Sequence, residues 1–151
     1  MSGSPLARLA EFLASAAYDD LPERAREHAK MAVSSTLASA AAGAGMPSAR
    51  LARELALEHG GAPEATLWFG AGERVPAVEA AAVNAMLSDA AACDDSDFRT
   101  IAHSGTTVCA ATLAIGERVG AGGREAIAAI AAGYEACGRF GEATSPRLGE
   151  R

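Results

Sequence analysis

Glycine and proline divide this chain into segments in which small apolar residues recur at helical spacing. Pro5 and Pro47 stand where segments begin, and Gly43 and Gly60 stand where segments end. Proline is tolerated in the first turn of a helix, because the N–H it lacks has no partner there, and glycine commonly follows the last helical residue. This punctuation predicts an all-α fold, a helical bundle-like domain.

Apolar spacing places the predicted helices. The first follows a Ser4 cap and ends near Tyr18, and the second begins with Asp20 as its N-cap, with Glu23 at capping-box spacing. Further helices begin at Pro47 and near Ala77. The residues expected to face inward are Leu6, Leu9, Phe12 and Leu13 in the first helix, Leu51, Leu55 and Leu57 in the third, and Val78, Val83, Met86, Leu87, Ala90 and Ala91 in the helix from Ala77.

One segment departs from the helical pattern. Residues 65–69 are short and β-prone, with glycine and proline nearby, and predict a strand or hairpin carrying Trp68. Towards the other end, Thr106 or Ser104 is expected to cap a helix, residues 120–123 form a turn and a last helix follows. Residues 1–142 are therefore predicted to form one helical domain. Residues 143–151 are predicted to form a loose tail, since they lack an apolar stripe.

Amino-acid composition limits the classes of binding partner and the cellular compartment that we expect for this chain. Half of the 151 residues are hydrophobic, but alanine dominates them, so the core is thin and another chain is a natural way to complete it. The formal charge of −6 and the lack of a basic stripe argue against nucleic acid as a partner, and no stretch is apolar enough to predict a membrane span. Cys93, Cys109 and Cys137 have neither zinc nor disulfide spacing, which favours free thiols in the cytoplasm.

The polar stretch between two predicted helices is the candidate site. Asp94, Asp95 and Asp97 lie close together with Arg99 as the nearby cation, and His103 precedes a Ser-Gly-Thr-Thr run that begins a helix. A histidine transfers protons near neutral pH, and amides at a helix start can receive an anionic oxygen. Spacing alone leaves open a solvated acidic loop with caps at both ends, in which the histidine is structural.

Several ordered motifs resemble the MmgE/PrpD family, whose members include 2-methylcitrate dehydratase. Residues 84–87 and 94–96 look like the family's first motif, and residues 102–105 look like its Gly-His-Pro-like stretch. Residues 113–120 and 129–139 are similar to the family's next two helices. The resemblance covers about residues 5–142, which corresponds to the N-terminal helical part of such an enzyme.

This resemblance implies a lyase or isomerase that acts on a small di- or tricarboxylate by proton transfer, in a dehydration, decarboxylation or epimerisation. It implies no organic cofactor, and we expect no metal. The residues expected to be catalytic are His103, Asp95 and Ser96, and those expected to bind substrate are Asp94, Arg99, Ser104, Gly105 and Thr106.

Departures from the family pattern weaken the expected site. Ala92 stands where the family has its first motif aspartate, Asp89 stands in place of a histidine, and Ser104 replaces a proline. The family's later catalytic histidine and lysine, and its second domain, fall beyond residue 151. We therefore expect a second chain to supply the missing C-terminal part, in a homo- or hetero-oligomer.

Three hypotheses about function follow. The first is a subunit or fragment of a MmgE/PrpD-like lyase or isomerase that is active only when another chain completes it. The second is a non-catalytic helical partner subunit derived from that family. The third is a protein that binds Mg²⁺ or Ca²⁺ through Asp94, Asp95, Asp97 and His103, although the EF-hand pattern is absent from the sequence.

Overall fold

The structure is a computed structural model and describes residues 3–144. Over this range six α-helices and one antiparallel hairpin alternate with short turns, so the prediction of an all-α fold with a short hairpin is confirmed. The helices are α1 (Pro5–Ser15), α2 (Glu23–Gly43), α3 (Pro47–His59), α4 (Ala77–Asp89), α5 (Ala110–Val119) and α6 (Gly123–Thr144), and the strands are β1 (Ala65–Thr66) and β2 (Arg74–Val75).

Glycine, proline and serine set several helix ends as the sequence predicts. The Ser4 Oγ accepts the Ala7 N–H at 3.2 Å and caps α1. Helix α3 begins with Pro47 and stops at Gly60, whose positive φ of 65° glycine adopts without steric cost. Gly120 ends α5 in the same way, with a φ of 69°.

The predicted start of α2 is wrong in detail. A 3₁₀ turn, Tyr18–Asp20, follows α1, and Pro22 occupies the N-cap of α2. The Asp20 N–H donates to the Ala17 carbonyl and closes that turn, so Asp20 belongs to the turn and makes no cap among the described residues. The Pro22 carbonyl accepts the first helical N–H bonds. Helix α1 correspondingly ends at Ser15, earlier than predicted.

Helix α4 lies at the centre of the fold and packs against α2, α3 and α5. Its buried side is formed by Ala77, Ala80, Val83 and Leu87, with the polar Asn84 and Ser88 among them. Helices α2 and α4 come so close that a Cβ placed on Gly43 would overlap the Leu87 carbonyl oxygen. Small side chains therefore set the spacing of the central helix pair.

Several predicted core residues lie on the wrong face. Val78 is 71% exposed and Met86 is 42% exposed, although both were expected to face inward. In α3 the three leucines are exposed, whereas Ala49 and Ala56 are buried. A helix that is apolar on several faces has no unique stripe in its sequence, and close approach to a neighbour selects its smallest residues.

The hairpin is fixed to the central helix by one buried side chain. Ala65 pairs with Val75 and Thr66 with Arg74. The Asn84 Oδ1 accepts the Trp68 N–H at 2.9 Å, and the Asn84 Nδ2 donates to the Thr66 carbonyl at 3.0 Å. The first residue of the family-like motif at 84–87 thus fixes the position of the short strand, and Trp68 packs half-buried against the main core.

Helix α6 continues to Thr144, past the predicted start of the tail at residue 143. The rest of that predicted tail, residues 145–151, lies outside the described residues. Among the helices of the described range, none combines the length and the hydropathy that crossing a membrane requires.

Candidate functional site

The polar segment between α4 and α5 is folded back on itself and leads into an irregular helix. The Asp97 N–H donates to the Ala102 carbonyl at 2.9 Å and closes a small loop, within which Ile101 adopts a left-handed φ of 53°. This conformation is costly for a β-branched residue, and such strain tends to cluster at functional sites. The chain then enters a π-helical turn, Gly105–Cys109, that runs directly into α5.

Asp95 caps this helix from outside it. The Gly105 N–H donates to the Asp95 Oδ1 at 2.8 Å. Ser104, one of the two predicted caps, occupies the N-cap position, but its side chain makes no capping hydrogen bond. The Tyr134 hydroxyl on α6 donates to the Asp95 Oδ2 at 2.7 Å. Burial, together with this hydrogen bond, raises the pKa of Tyr134 well above its usual value, so the phenol keeps its proton. Asp95 therefore joins the loop, the π-helical turn and α6.

Gly105 leaves little free space around this carboxylate. A Cβ built on Gly105 would lie 2.5 Å from the Asp95 Oδ1, 2.8 Å from the Thr36 Oγ1 and 2.9 Å from the Tyr134 hydroxyl. These distances are shorter than any relaxed carbon–oxygen contact. A glycine is therefore required where α2, α6 and the loop converge.

Asp94 points the other way, into the protein. Its side chain is only 4% exposed, and its Oδ2 lies 2.8 Å from the His103 Nδ1 and accepts the Thr106 hydroxyl at 2.9 Å. The buried Ser88 hydroxyl on α4 lies 2.8 Å from the Thr106 Oγ1. A buried carboxylate needs such donors to offset its desolvation. Asp94 and Thr106, both expected to bind substrate, are thus occupied by contacts within the protein.

His103 is half-exposed, with 49% of its side chain accessible, and one ring nitrogen is committed to Asp94. The Ser96 Oγ lies 3.4 Å from the same Nδ1, a longer and weaker contact than the one to Asp94. The predicted catalytic pair, His103 and Ser96, is therefore brought together, while Asp95 stands on the other side of the loop at the Tyr134 hydroxyl.

An open cleft of about 1040 Å³ lies between the N-terminal half of α2, the loop and α6. Of the predicted site residues, those that line it are Asp95, Ser96, Arg99 and Ser104. Asp94, His103, Gly105 and Thr106 stand outside the lining, and His103 adjoins it through Ser96. Sequence reasoning missed Tyr134 and His28, which also line the cleft. Tyr134 carries no sequence signal beyond its place in a family-like stretch.

The charged side chains that line the cleft form ion pairs with one another. Asp97 and Glu142 both bind the Arg99 guanidinium at 3.0 Å, and the Arg99 hydrogen bond lowers the pKa of Asp97. Arg139 binds Glu135 one turn earlier on α6, as the i,i+4 spacing predicts. With Asp95 included, four carboxylates face two guanidinium groups in the lining, a net charge of −2.

The acidic residues do not converge as a cation site. Asp94 turns to His103, Asp95 to Tyr134 and Asp97 to Arg99. Over residues 3–144, no group of three or more His, Cys, Asp or Glu side chains is arranged to hold a metal ion. The third hypothesis, Mg²⁺ or Ca²⁺ binding by Asp94, Asp95, Asp97 and His103, therefore finds no support in the described range.

Fold and site together define an α-helical domain in which a buried carboxylate holds an imidazole beside an acidic cleft. The family model described as the MmgE/PrpD N-terminal domain matches residues 7–149. The chain belongs to the MmgE/PrpD family, and the part of the family it matches is the N-terminal domain. Comparison with curated proteins and with solved structures gives no match.

Proposed function

We propose that this chain forms part of the active site of a MmgE/PrpD-type lyase or isomerase that acts on a small di- or tricarboxylate by proton transfer. The observation that carries the proposal is the Asp94–His103 pair. The Oδ2 of a carboxylate that is almost fully buried lies 2.8 Å from the Nδ1 of a half-exposed imidazole, next to a cleft large enough for a small acid. This is the arrangement by which proteins prepare a histidine as a general base.

In this proposal Asp94 fixes the imidazole so that Nε2 carries the free lone pair. Nε2 then takes the proton from a carbon next to a substrate carboxylate. The electrons of the broken C–H bond form a double bond as the hydroxyl leaves, and the imidazolium protonates it to water. In an epimerisation the electrons instead take a proton on the opposite face from an acid that the second chain supplies. Asp94 stabilises the imidazolium that forms, and Ser96, at the cleft side of the ring, donates a hydrogen bond to the substrate.

The substrate's negative charge needs cations that this cleft does not offer. Arg99 and Arg139 are already bound by Asp97, Glu142 and Glu135. Like charges about 4 Å apart repel by roughly 1–4 kcal/mol, depending on exposure. We propose that a second chain, carrying the remaining part of the enzyme, supplies these cations in a homo- or hetero-oligomer. The free cysteines suit a reducing compartment, and we assign this assembly to the cytoplasm.

Reconstitution tests this function. The chain is mixed with a polypeptide that carries the C-terminal part of a MmgE/PrpD enzyme, and turnover is followed on a panel of small di- and tricarboxylates. We expect turnover by the mixture, with kcat reduced at least about 100-fold by His103→Gln, since general acid–base catalysis contributes about 10²–10⁴. Thr107→Val, on the exposed side of the same turn, is the matched control and keeps full activity.

A second candidate function is a non-catalytic helical partner subunit, and one observation favours it. Ala92 stands where the family pattern has an aspartate, in a left-handed conformation with a φ of 51°. One acidic group of the site is therefore missing. Equal turnover by the wild-type and His103→Gln assemblies would establish this role and remove the catalytic one.

A further inference from the structure

Ser88 and Thr106, which lie behind the candidate site, form a chain of hydrogen bonds that ends at Asp94, whose carboxylate adjoins the imidazole of His103. The Ser88 Oγ lies 2.8 Å from the Thr106 Oγ1, which lies 2.9 Å from the Asp94 Oδ2, and the same carboxylate oxygen lies 2.8 Å from the His103 Nδ1. Ser88 is fully buried and Thr106 nearly so. The chain thus runs from the central helix, through the π-helical turn, to the half-exposed ring.

The proton positions in this chain are fixed by the number of protons available. A hydroxyl carries one proton, and an ionised carboxylate only accepts. Thr106 must give its proton to Asp94, because otherwise two lone pairs would face each other at 2.9 Å. The Thr106 Oγ1 then accepts the proton of Ser88, whose other acceptor, the Ala85 carbonyl, is more distant at 3.2 Å. Every donor in the chain therefore points towards Asp94.

We propose that Ser88 and Thr106 are positioning residues that fix the orientation of the Asp94 carboxylate, and thereby favour the Nδ1–H tautomer of the neutral His103 ring, with Nε2 free for proton transfer. The role of Nε2 in proton transfer rests on the proposed function. The contacts that set the tautomer lie entirely within this polypeptide. Which ring nitrogen of a histidine carries the proton is set by the partner of the other nitrogen. Here that partner is Asp94, and two hydroxyls from different helical segments, Ser88 and Thr106, fix the orientation of its carboxylate.

The test is long-range ¹⁵N–¹H NMR of the full chain with ¹⁵N-labelled histidine, which distinguishes the two neutral tautomers. His103→Gln assigns the signals, and the exposed His28 serves as an internal reference. For the wild type we expect the Nδ1–H form of His103 to exceed the Nε2–H form by at least about tenfold, because a hydrogen bond to a charged group shifts an equilibrium by that order. A His103 ring in the Nε2–H form would overturn the proposal without any variant.

Variants separate the contributions of Asp94, Thr106 and Ser88 to the tautomer ratio of His103. In Asp94→Asn the carboxamide oxygen takes the Thr106 hydroxyl and its NH₂ faces the ring, so the tautomer should invert. Thr106→Val should lower the ratio of Nδ1–H to Nε2–H about tenfold, and Ser88→Ala should lower it less. Thr106→Ser, which keeps the hydroxyl, and Thr107→Val, whose hydroxyl donates to the backbone carbonyls of His103 and Ser104, should match the wild type.

Two results decide between the chain of hydroxyls and Asp94 alone. An unchanged ratio in both Thr106→Val and Ser88→Ala, with inversion in Asp94→Asn, would leave Asp94 in its role and remove Ser88 and Thr106 from theirs. If Thr106→Val does not fold, Ser88→Ala and the wild-type ratio carry the test. Turnover of the reconstituted assembly is a separate measurement, so a failure of the catalytic proposal and a failure of the tautomer proposal give different results.

Discussion

Adding one methyl group at Gly105 tests how tightly Asp95 is enclosed. The Gly105→Ala methyl would lie 2.5 Å from the Asp95 Oδ1, 2.8 Å from the Thr36 Oγ1 and 2.9 Å from the Tyr134 hydroxyl. The backbone at Gly105 is helical, and alanine is otherwise the better residue in a helix. Any destabilisation must therefore come from the crowded surroundings and from the hydrogen bond that the displaced carboxylate gives up.

Two opposing contributions set the size of the effect. Exchanging glycine for alanine in a helix stabilises by about 0.5–1 kcal/mol. Overpacking costs about 1–3 kcal/mol, and losing the N–H bond to a charged carboxylate costs roughly a further 1.5–3 kcal/mol. The net expectation is that Gly105→Ala lowers the free energy of unfolding by about 2–5 kcal/mol.

Urea unfolding of the full chain, followed by circular dichroism, measures this change. With a slope of about 2 kcal/mol per molar urea, the midpoint should fall by about 1–2.5 M. Gly138→Ala in α6 is the matched control, because a Cβ there meets nothing within 4 Å, and it should stabilise by about 0.5–1 kcal/mol. A Gly105→Ala protein at least as stable as the wild type would refute the geometry of the Asp95 pocket.

Three further changes probe the fold around the site. Asn84→Ala leaves two backbone groups of the hairpin without their buried partner and should cost about 2–4 kcal/mol in urea unfolding. Gly43→Ala should cost about 3 kcal/mol by forcing α2 away from the Leu87 carbonyl. Tyr134→Phe should cost about 1.5–3 kcal/mol at pH 7 through the lost bond to Asp95, and less at high pH, as unfolding measured from pH 7 to 11 will show.

The sign of the Tyr134 effect follows from its raised pKa. The folded protein holds this proton more tightly than the unfolded chain, so the stability it provides is complete below the ordinary tyrosine pKa of about 10 and is lost as pH rises above it. Tyr18→Phe, whose ring stacks under the Arg26 and Arg124 guanidinium groups, is the control. Parallel pH profiles for the wild type and Tyr134→Phe would contradict the Tyr134–Asp95 bond.

The sequence was sufficient for the order of elements but not for their packing. Gly60, Gly120 and Pro47 act through local backbone sterics, and such effects are visible without a tertiary structure. The inward faces were harder to predict, because alanine and leucine are both apolar. Only the close approach of neighbouring helices decides that Ala56 is buried and Leu55 is exposed.

The same limit applies to the candidate site. The acidic run and His103 stand out in the sequence, but neighbouring aspartates can point in opposite directions, and nothing local says which one is buried. Asp94 turns inward, where its carboxylate accepts the Thr106 hydroxyl. Asp95 turns towards the Tyr134 hydroxyl, which is 39 residues away in the sequence. Contacts made over such separations depend on how α6 docks, and no periodicity encodes that docking.

In the contacts between α2, α3 and α4, small residues are buried and several large apolar residues are exposed, the reverse of the usual pattern. Ala49 and Ala56 are each 1% exposed, so a longer side chain at either position should overpack the helix contact. The outward leucines of α3 are 42–57% exposed, so a shorter side chain there should cost this domain less than a longer one at the buried alanines. The small buried residues, not the large apolar ones, therefore define how closely these helices can approach.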